Sequence, residues 1–395
     1  MIARRCIFFI GGYEPKTPKS FFERLAREMR RFEATWGVET STTDIALPLA
    51  DVGSVTVVTS AADSWQVTTD FQFFGLDSIV DADAARWLPV RVFRYLAAFL
   101  DYWLSGTAFS IFAKSWRFGL YFLYPFAVTA FFFLAVLLAA SAALRFANID
   151  TPALPTLIAL LALFPLLATL GKRWSVTHLM DLWSFSREYV RGSRPEAEAL
   201  MEQYATIATE TVKARQFDEI IFVGHSTGGG LILDVAARSL QADPGMARRG
   251  AEVALLTLGS TALKFGLHPA AEAYRTKVQS LVDETSLKWA EFQCLMDVIN
   301  FYKTNPVVDM GLRPRAQGSP SAFPIVRKIH LPRMIGREMY RRIRGRFFRI
   351  HYQFVSANTR QYFYDFFLIC FGPHPVSAIP NDPSVAVFSD GEAVR

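Results

Sequence analysis

The 395-residue sequence predicts a mixed α/β fold, with a mostly parallel sheet, helices on both faces, and an all-α hairpin that interrupts it. Two observations support this prediction. Short apolar runs suited to buried strands alternate with segments of helical periodicity in both halves of the chain. Between the halves lie two uncharged stretches, residues 118–144 and 153–171, each long enough for one continuous apolar helix.

The first part of the chain, residues 1–85, is assigned to the sheet. Three segments rich in apolar, β-branched or aromatic residues predict strands: residues 6–10, 54–59 and 65–74. A glycine-containing loop follows the first of them. A capping pattern from Ser20 to Glu23 then predicts the start of an amphipathic helix.

The next part, residues 86–185, predicts an all-α insertion. Residues 87–104 form an apolar, aromatic stripe interrupted by a few charges, which suits a helix at a membrane-water interface. The first uncharged stretch is long enough to cross about 30 Å of hydrocarbon, and the second just reaches. The sequence therefore predicts a transmembrane hairpin with the lipid bilayer as its partner.

Charges near the ends of the hairpin predict its orientation. Four basic residues flank the hairpin on the outside: Lys114, Arg117, Lys172 and Arg173. The connection between the spans carries Arg145 against Asp150. Basic flanks favour the cytoplasmic side, so we expect an integral membrane protein, in the inner or plasma membrane if the chain is bacterial, with the rest of the chain cytoplasmic.

The remaining part, residues 186–373, resumes the alternation of strands and helices. Helices are predicted at residues 196–212 and 231–240, and strands at residues 218–223, 252–258, 287–295 and 346–350. The tail, residues 374–395, is rich in proline and has no periodicity, which predicts a segment that is disordered or lies on the surface.

The composition and the missing motifs argue against several functional classes. Hydrophobic residues make up 51% of the chain, including 35 Phe, which suggests membrane contact before any motif is considered. A net charge of +6 does not point to nucleic acid, and three widely spaced cysteines are too few for a disulfide framework. The sequence contains neither a His-Glu-x-x-His motif nor a phosphate-binding glycine loop, so no metal or cofactor is predicted.

The most informative stretch is the pentapeptide from Gly224 to Gly228, Gly-His-Ser-Thr-Gly, between a predicted strand and a predicted helix. Ser226 lies at the apex of this turn. A serine exposed there needs a strained backbone, and side chains two positions before or after it would collide with the turn. The glycines at both positions remove that collision.

In this strand-turn-helix context, Gly224, His225, Ser226 and Gly228 resemble the nucleophile elbow of the α/β-hydrolase superfamily, of the serine esterase and lipase type. The resemblance covers roughly residues 5–75 and 195–372 and does not account for the hairpin. It implies an oxyanion hole made by the backbone N–H of Gly12 or Tyr13 and that of Thr227.

The same resemblance implies an acid and then a histidine, in that order, after the serine. His178, His225, His268 and His374 are excluded by their positions, which leaves His351 and His330. His351 is favoured because it directly follows the predicted strand at residues 346–350.

The acid is assigned to Asp297, which follows the predicted strand at residues 287–295 and lies between the serine and the histidine. Asp309 is the alternative, and Asp283 is the third choice.

A basic segment, residues 313–349, contains eleven Lys or Arg residues and one acid, Glu338. Two interpretations stay open: an ordinary solvated face, or attraction to anionic lipid headgroups.

Together these features predict a membrane-anchored serine hydrolase that cleaves an acyl ester or thioester through an acyl-enzyme. Two alternatives remain. One is an acyltransferase with the same triad, and the other is a catalytically silent scaffold of the same fold.

Overall fold

A nine-stranded sheet is the centre of the computed structural model, which describes residues 1–62, 64–315, 323–379, 386–389 and 392–394. Its strands are β1 (Arg4–Ile10), β2 (Glu39–Thr42), β3 (Ala46–Leu49), β4 (Val52–Ala61), β5 (Trp65–Phe74), β6 (Glu219–His225), β7 (Glu252–Leu258), β8 (Lys288–Cys294) and β9 (Ile325–Ile329). The order is β2-β4-β5-β1-β6-β7-β8-β9, with β3 beside β4. Strands β5, β1, β6, β7, β8 and β9 are parallel, whereas β2, β3 and β4 pair antiparallel at one edge.

Helices cover the sheet and form the insertion. They are α1 (Pro18–Trp36), α2 (Asp77–Ala85), α3 (Leu88–Leu104), α4 (Thr107–Lys114), α5 (Trp116–Phe146), α6 (Leu154–Leu166), α7 (Val176–Val190), α8 (Pro195–Ala214), α9 (Gly228–Ala242), α10 (Leu263–Gly266), α11 (Glu272–Asp283), α12 (Pro306–Asp309), α13 (Leu331–Ile335), α14 (Arg337–Ile343), α15 (Phe347–His351) and α16 (Phe366–Phe371). A π-helical turn, Leu167–Gly171, extends α6.

Both faces of the sheet are buried. In β1, Cys6, Phe8 and Ile10 belong to one hydrophobic core, formed with α7, α8, α9 and α11. The alternate residues Ile7 and Phe9 belong to the other core, formed with α1, α13, α15 and α16. This alternation follows from the two-residue period of a strand. The predicted mixed α/β class and the mostly parallel sheet are confirmed.

Two local predictions are wrong. Residues 346–350 do not form a strand, because they belong to α15 and the turn before it. Ile350 is buried there while Phe347 and Phe348 are exposed, which is the one-sided burial of a helical turn. In addition, Thr17 and not Ser20 caps α1: its Oγ1 accepts a hydrogen bond from the Ser20 N–H, and Pro18 is the first helical residue.

Two helical segments are long and apolar enough to cross a membrane: α5, and Leu154–Gly171, which comprises α6 and its π turn. They pack against each other. The first turns of α5 lie inside the protein, where Phe118 and Phe122 are fully buried, whereas Phe131 and Leu138 farther along are exposed. The 31 residues of α5 make a helix about 46 Å long, and Phe132 near its middle is still buried, against Leu167, Val176 and Met180.

The predicted tail is described only in part. The Val376 N–H donates to Glu219 Oε1 (2.6 Å), and Ser377 donates to Glu252, so this part of the tail lies against the sheet. Farther on, β10 (Ala386–Ser389) pairs antiparallel with β11 (Glu392–Val394). Residues 380–385, 390–391 and 395 of the predicted tail lie outside the described residues.

Candidate functional site

Ser226 lies in a sharp turn between β6 and α9, at the carboxyl edge of the parallel strands. Its φ angle is +59°, a left-handed conformation that costs a non-glycine residue about 1–3 kcal/mol. The Ser226 N–H donates to the Leu258 carbonyl (3.1 Å), and its own carbonyl accepts from the N–H groups of Gly229 and Thr261, both at 3.0 Å. These three bonds hold the strained turn in place.

The glycines around Ser226 are required by space. A Cβ atom at Gly224 would collide with the carbonyl oxygen of Gly228, and one at Gly228 would collide with the carbonyl oxygens of Ile10 and Gly11. Backbone atoms cannot move aside as a flexible side chain can, so neither site accepts a larger residue. The loop after β1 therefore passes directly over the serine turn.

Gly12, in this loop, is one of the predicted donors and lies close to the serine. A Cβ atom built at Gly12 would lie 3.7 Å from Ser226 Oγ. The next residue, Tyr13, is buried and donates its hydroxyl to Asp83 Oδ2 (2.7 Å). Burial raises the pKa of Tyr13, so the phenol stays neutral as a donor.

Asp83 connects the loop after β1 to the helical insertion through a hydrogen bond and ion pairs. Burial alone would raise the pKa of Asp83, but the hydrogen bond from Tyr13 and the guanidinium groups of Arg94 and Arg194 lower it. Both arginines lie within 3.0 Å of the carboxylate. The charged form of Asp83 therefore fixes the Tyr13 side chain from the side of α2 and α3.

Asp297 and His351 form a buried pair. Asp297 Oδ2 lies 2.7 Å from His351 Nδ1, and the two residues are 1% and 4% exposed. Asp297 Oδ1 also accepts the Ile299 N–H (2.9 Å). Asn300 braces this turn after β8 by donating to the carbonyls of Cys294 and Asp297.

The other ring nitrogen of His351, Nε2, is buried and has no hydrogen-bond partner among the described residues. His225 supports the ring: its Nε2 lies 3.2 Å from the His351 carbonyl oxygen, and the two ring centres are 4.5 Å apart. Burial, and then the neighbouring His351, lowers the pKa of His225 well below its usual range, which keeps that ring neutral.

One cavity of about 60 Å³ joins these groups. Ser226, Thr227, His351, Gly12 and Tyr13 all line it. Its remaining lining residues lie on α5 and α7, on or just after α15, at the end of β6, in the loop after β1 and in the turn after β8: Tyr121, His178, Leu179, Leu182, Phe348, Tyr352, His225, Glu14 and Ile299. The volume suits a reacting carbonyl group. It is far below the roughly 300–1,000 Å³ of a pocket that encloses a whole small molecule.

The alternative residues lie elsewhere. Asp309 is bound to Lys114 (2.8 Å) and to the Asn305 N–H, and Asp283 lies near Arg313. His330 is exposed before α13. None of these three lines the cavity that contains Ser226.

Sequence reasoning missed Lys264, on α10. Its side chain is fully buried, and its Nζ donates to Thr227 Oγ1 (2.8 Å) beside the serine. Burial lowers the pKa of Lys264 well below its usual range. No motif marks this lysine, because only the return of the chain after β7 brings it to the turn.

Within the described ranges, no group of three or more His, Cys, Asp or Glu side chains is placed to hold a metal ion. Comparisons with protein-family models, with curated proteins and with solved structures give no significant match.

Proposed function

We propose that this protein is a membrane-tethered serine hydrolase of the α/β-hydrolase type that cleaves an acyl ester or thioester. The observation that carries the proposal is the shared cavity. A serine in a strained turn, a histidine paired with a buried aspartate, and a glycine loop against the serine all line it. A structural turn has no need of a strained serine that shares a cavity with a histidine nitrogen for which the described residues offer no hydrogen-bond partner.

In the proposed reaction, Ser226 Oγ attacks the substrate carbonyl and its proton passes to His351 Nε2. Asp297 holds the Nδ1–H and stabilises the charged imidazole. The carbonyl oxygen becomes negative and accepts hydrogen bonds from the Thr227 N–H and from the N–H of Gly12 or Tyr13.

The bond to the leaving alcohol or thiol then breaks, and the proton on His351 goes to that leaving group. In the second half, His351 takes a proton from water, the resulting hydroxide attacks the acyl-serine, and Ser226 regains its proton. If an alcohol or amine replaced water in this half, the same residues would perform acyl transfer.

The membrane part of the proposal rests on α5 and Leu154–Gly171, whose apolar surfaces are mostly exposed. Burying such surfaces in water-free hydrocarbon is favourable. The basic residues that flank the hairpin favour a cytoplasmic position for the sheet and its site.

The test is labelling of the full chain in isolated membranes with a fluorophosphonate probe, followed by hydrolysis of p-nitrophenyl butyrate. Wild-type protein should be labelled and active, and should stay in the membrane pellet after alkaline carbonate. Ser226→Ala should lose both labelling and activity. The matched control is Ser260→Ala, a buried serine after the neighbouring strand β7, which should keep both.

Unlabelled wild-type protein would favour the scaffold alternative, and undiminished labelling of Ser226→Ala would place the nucleophile elsewhere. Release of the intact protein by carbonate would contradict the membrane tether alone.

A further inference from the structure

The first apolar helix begins at the proposed catalytic site. Arg117, in the first turn of α5, donates to the Leu295 carbonyl (2.6 Å), and the Phe118 ring lies 4.1 Å from that of Phe301. Leu295 and Phe301 flank the turn that carries Asp297. One turn farther along, Tyr121 lines the cavity with Ser226. The site therefore lies against the first turns of α5.

A second apolar surface lies on α3. One side of this helix is bound to α7 by the ion pairs Arg91–Asp181 and Arg94–Glu188. The opposite side is an uncovered apolar stripe: Trp87, Val90, Phe93, Leu96, Leu100 and Leu104. Trp87, Phe93 and Leu104 are more than 70% exposed, which suits a helix lying in the headgroup region.

A third surface carries positive charge. We define the arginine surface as five exposed residues on and after α14: Arg337, Arg341, Arg344, Arg346 and Arg349. In the described part of the chain none of them is paired with a carboxylate, whereas their neighbour Arg342 is paired with Glu338. The exposed rings of Phe347 and Phe348 lie in the same segment, and Phe348 also lines the cavity.

From these three surfaces we infer that the substrate is an acyl ester of an anionic phospholipid, drawn sideways from the membrane that holds the protein. The inference rests on the serine hydrolase proposed above. The arginine surface binds the headgroup phosphates, and the ester carbonyl reaches Ser226 past Phe348 and Tyr121. Ser226 takes the acyl group as the ester C–O bond breaks, and the lysophospholipid leaves with the proton from His351.

The size of the cavity supports a substrate that stays in the bilayer. About 60 Å³ holds a carbonyl and a few neighbouring atoms but not a fatty acyl chain. The chain must therefore extend out of the site, along α5, where hydrocarbon already surrounds the helix. A soluble acidic protein would complement the charge of the arginines, but it would not account for the exposed phenylalanines among them.

The test uses the purified full chain in vesicles made of equal amounts of phosphatidylcholine and phosphatidylglycerol, with different acyl chains on the two lipids. Mass spectrometry of the released fatty acids gives the preference for the anionic lipid. Hydrolysis of p-nitrophenyl butyrate is measured in parallel, because this neutral ester does not require the arginine surface.

The variant is Arg337→Gln with Arg341→Gln and Arg344→Gln. The control removes three exposed charges at the opposite, amino end of the sheet: Arg4→Gln, Lys213→Gln and Lys288→Gln. Each basic residue near an anionic surface strengthens association about fivefold, so losing three weakens it by on the order of 100-fold. We expect a preference of about tenfold or more for phosphatidylglycerol, lost in the variant and kept in the control.

Cleavage of p-nitrophenyl butyrate without cleavage of either phospholipid would overturn the inference and leave the hydrolase intact. An equal preference for phosphatidylglycerol in the variant and in the control would also overturn the inference. If neither the soluble ester nor the lipids are cleaved, the proposed function itself fails.

Discussion

Replacing Asp297 with Asn tests the proposed triad most sharply. It replaces one carboxylate oxygen by an NH2 group and removes the negative charge, with almost no change in volume. In the native site the carboxylate accepts from His351 Nδ1, which leaves Nε2 free to accept the serine proton. An Asn amide would instead donate to Nδ1 and force the ring proton onto Nε2. The histidine would then face Ser226 with a donor and could not act as a base.

Loss of the correct tautomer costs about 10⁴-fold in turnover, or about 5.5 kcal/mol of transition-state stabilisation. The fold should suffer little, because Oδ1 of Asn can still accept the Ile299 N–H that Asp297 accepts now. We expect the free energy of unfolding to fall by about 1.5–3 kcal/mol, the contribution of one hydrogen bond to a charged group. The assays are p-nitrophenyl butyrate turnover, probe labelling rate and thermal unfolding.

Asp309→Asn is the matched control, since that residue was the alternative acid. Its partner Lys114 is 42% exposed, and such surface pairs contribute less than about 1 kcal/mol. Turnover should stay within about twofold of wild type. Turnover of Asp297→Asn within about tenfold of wild type, or a larger loss in Asp309→Asn, would refute the assignment of the acid.

Two further predictions concern the base and the buried lysine. His351→Ala should reduce turnover nearly as far as Ser226→Ala, because the two residues act as one unit. Turnover of His330→Ala, on the surface, should stay within about threefold of wild type. The reverse ranking in the same ester assay would contradict the triad. Lys264→Met should stabilise the protein by roughly 1–2 kcal/mol at neutral pH. It removes a buried amino group whose charged form is disfavoured by burial and whose hydrogen-bond partner, Thr227 Oγ1, is neutral. Because the pKa of Lys264 is lowered in the folded protein, the unfolded chain binds this proton more tightly, and native stability should rise with pH up to about 10. Lys264→Met should flatten that rise. Parallel pH profiles of thermal unfolding for the wild type and the variant would refute this prediction.

The strands around the site could be predicted because both faces of a parallel sheet are buried. Continuous apolar runs such as those of β1, β6 and β7 therefore stand out from the sequence. The edge strands β2 and β3 were missed, because β2 is polar and mostly exposed and β3 is a short exposed segment that contains Pro48. Strand β9 was missed because it is short and its adjacent Arg327 and Lys328 resemble a surface segment.

His351 and Asp297 were chosen from chain order, and the structure places them 2.7 Å apart, although the predicted strand before His351 is a helix. The two residues meet because a helical turn after β9 also returns the chain to the carboxyl edge. The supporting groups could not be found in the same way. Lys264 and Asp83 reach the site through contacts between distant segments, which no local spacing records. His225 belongs to the predicted turn, but its contact with the His351 carbonyl also joins distant segments.

The connection between β5 and β6 explains why the apolar helices lie at the site. Strand β5 is parallel to β1, so it ends at the carboxyl edge, and the chain must cross back before β6 can begin. Helix α8 makes that crossing, and everything inserted before it, from α2 to α7, starts at the edge that holds Ser226. Tyr121 and Leu182 thus reach the cavity as a consequence of topology. If α5 and Leu154–Gly171 cross the membrane as proposed, an insertion at the opposite edge would tether the domain equally well but would leave Ser226 facing away from the bilayer.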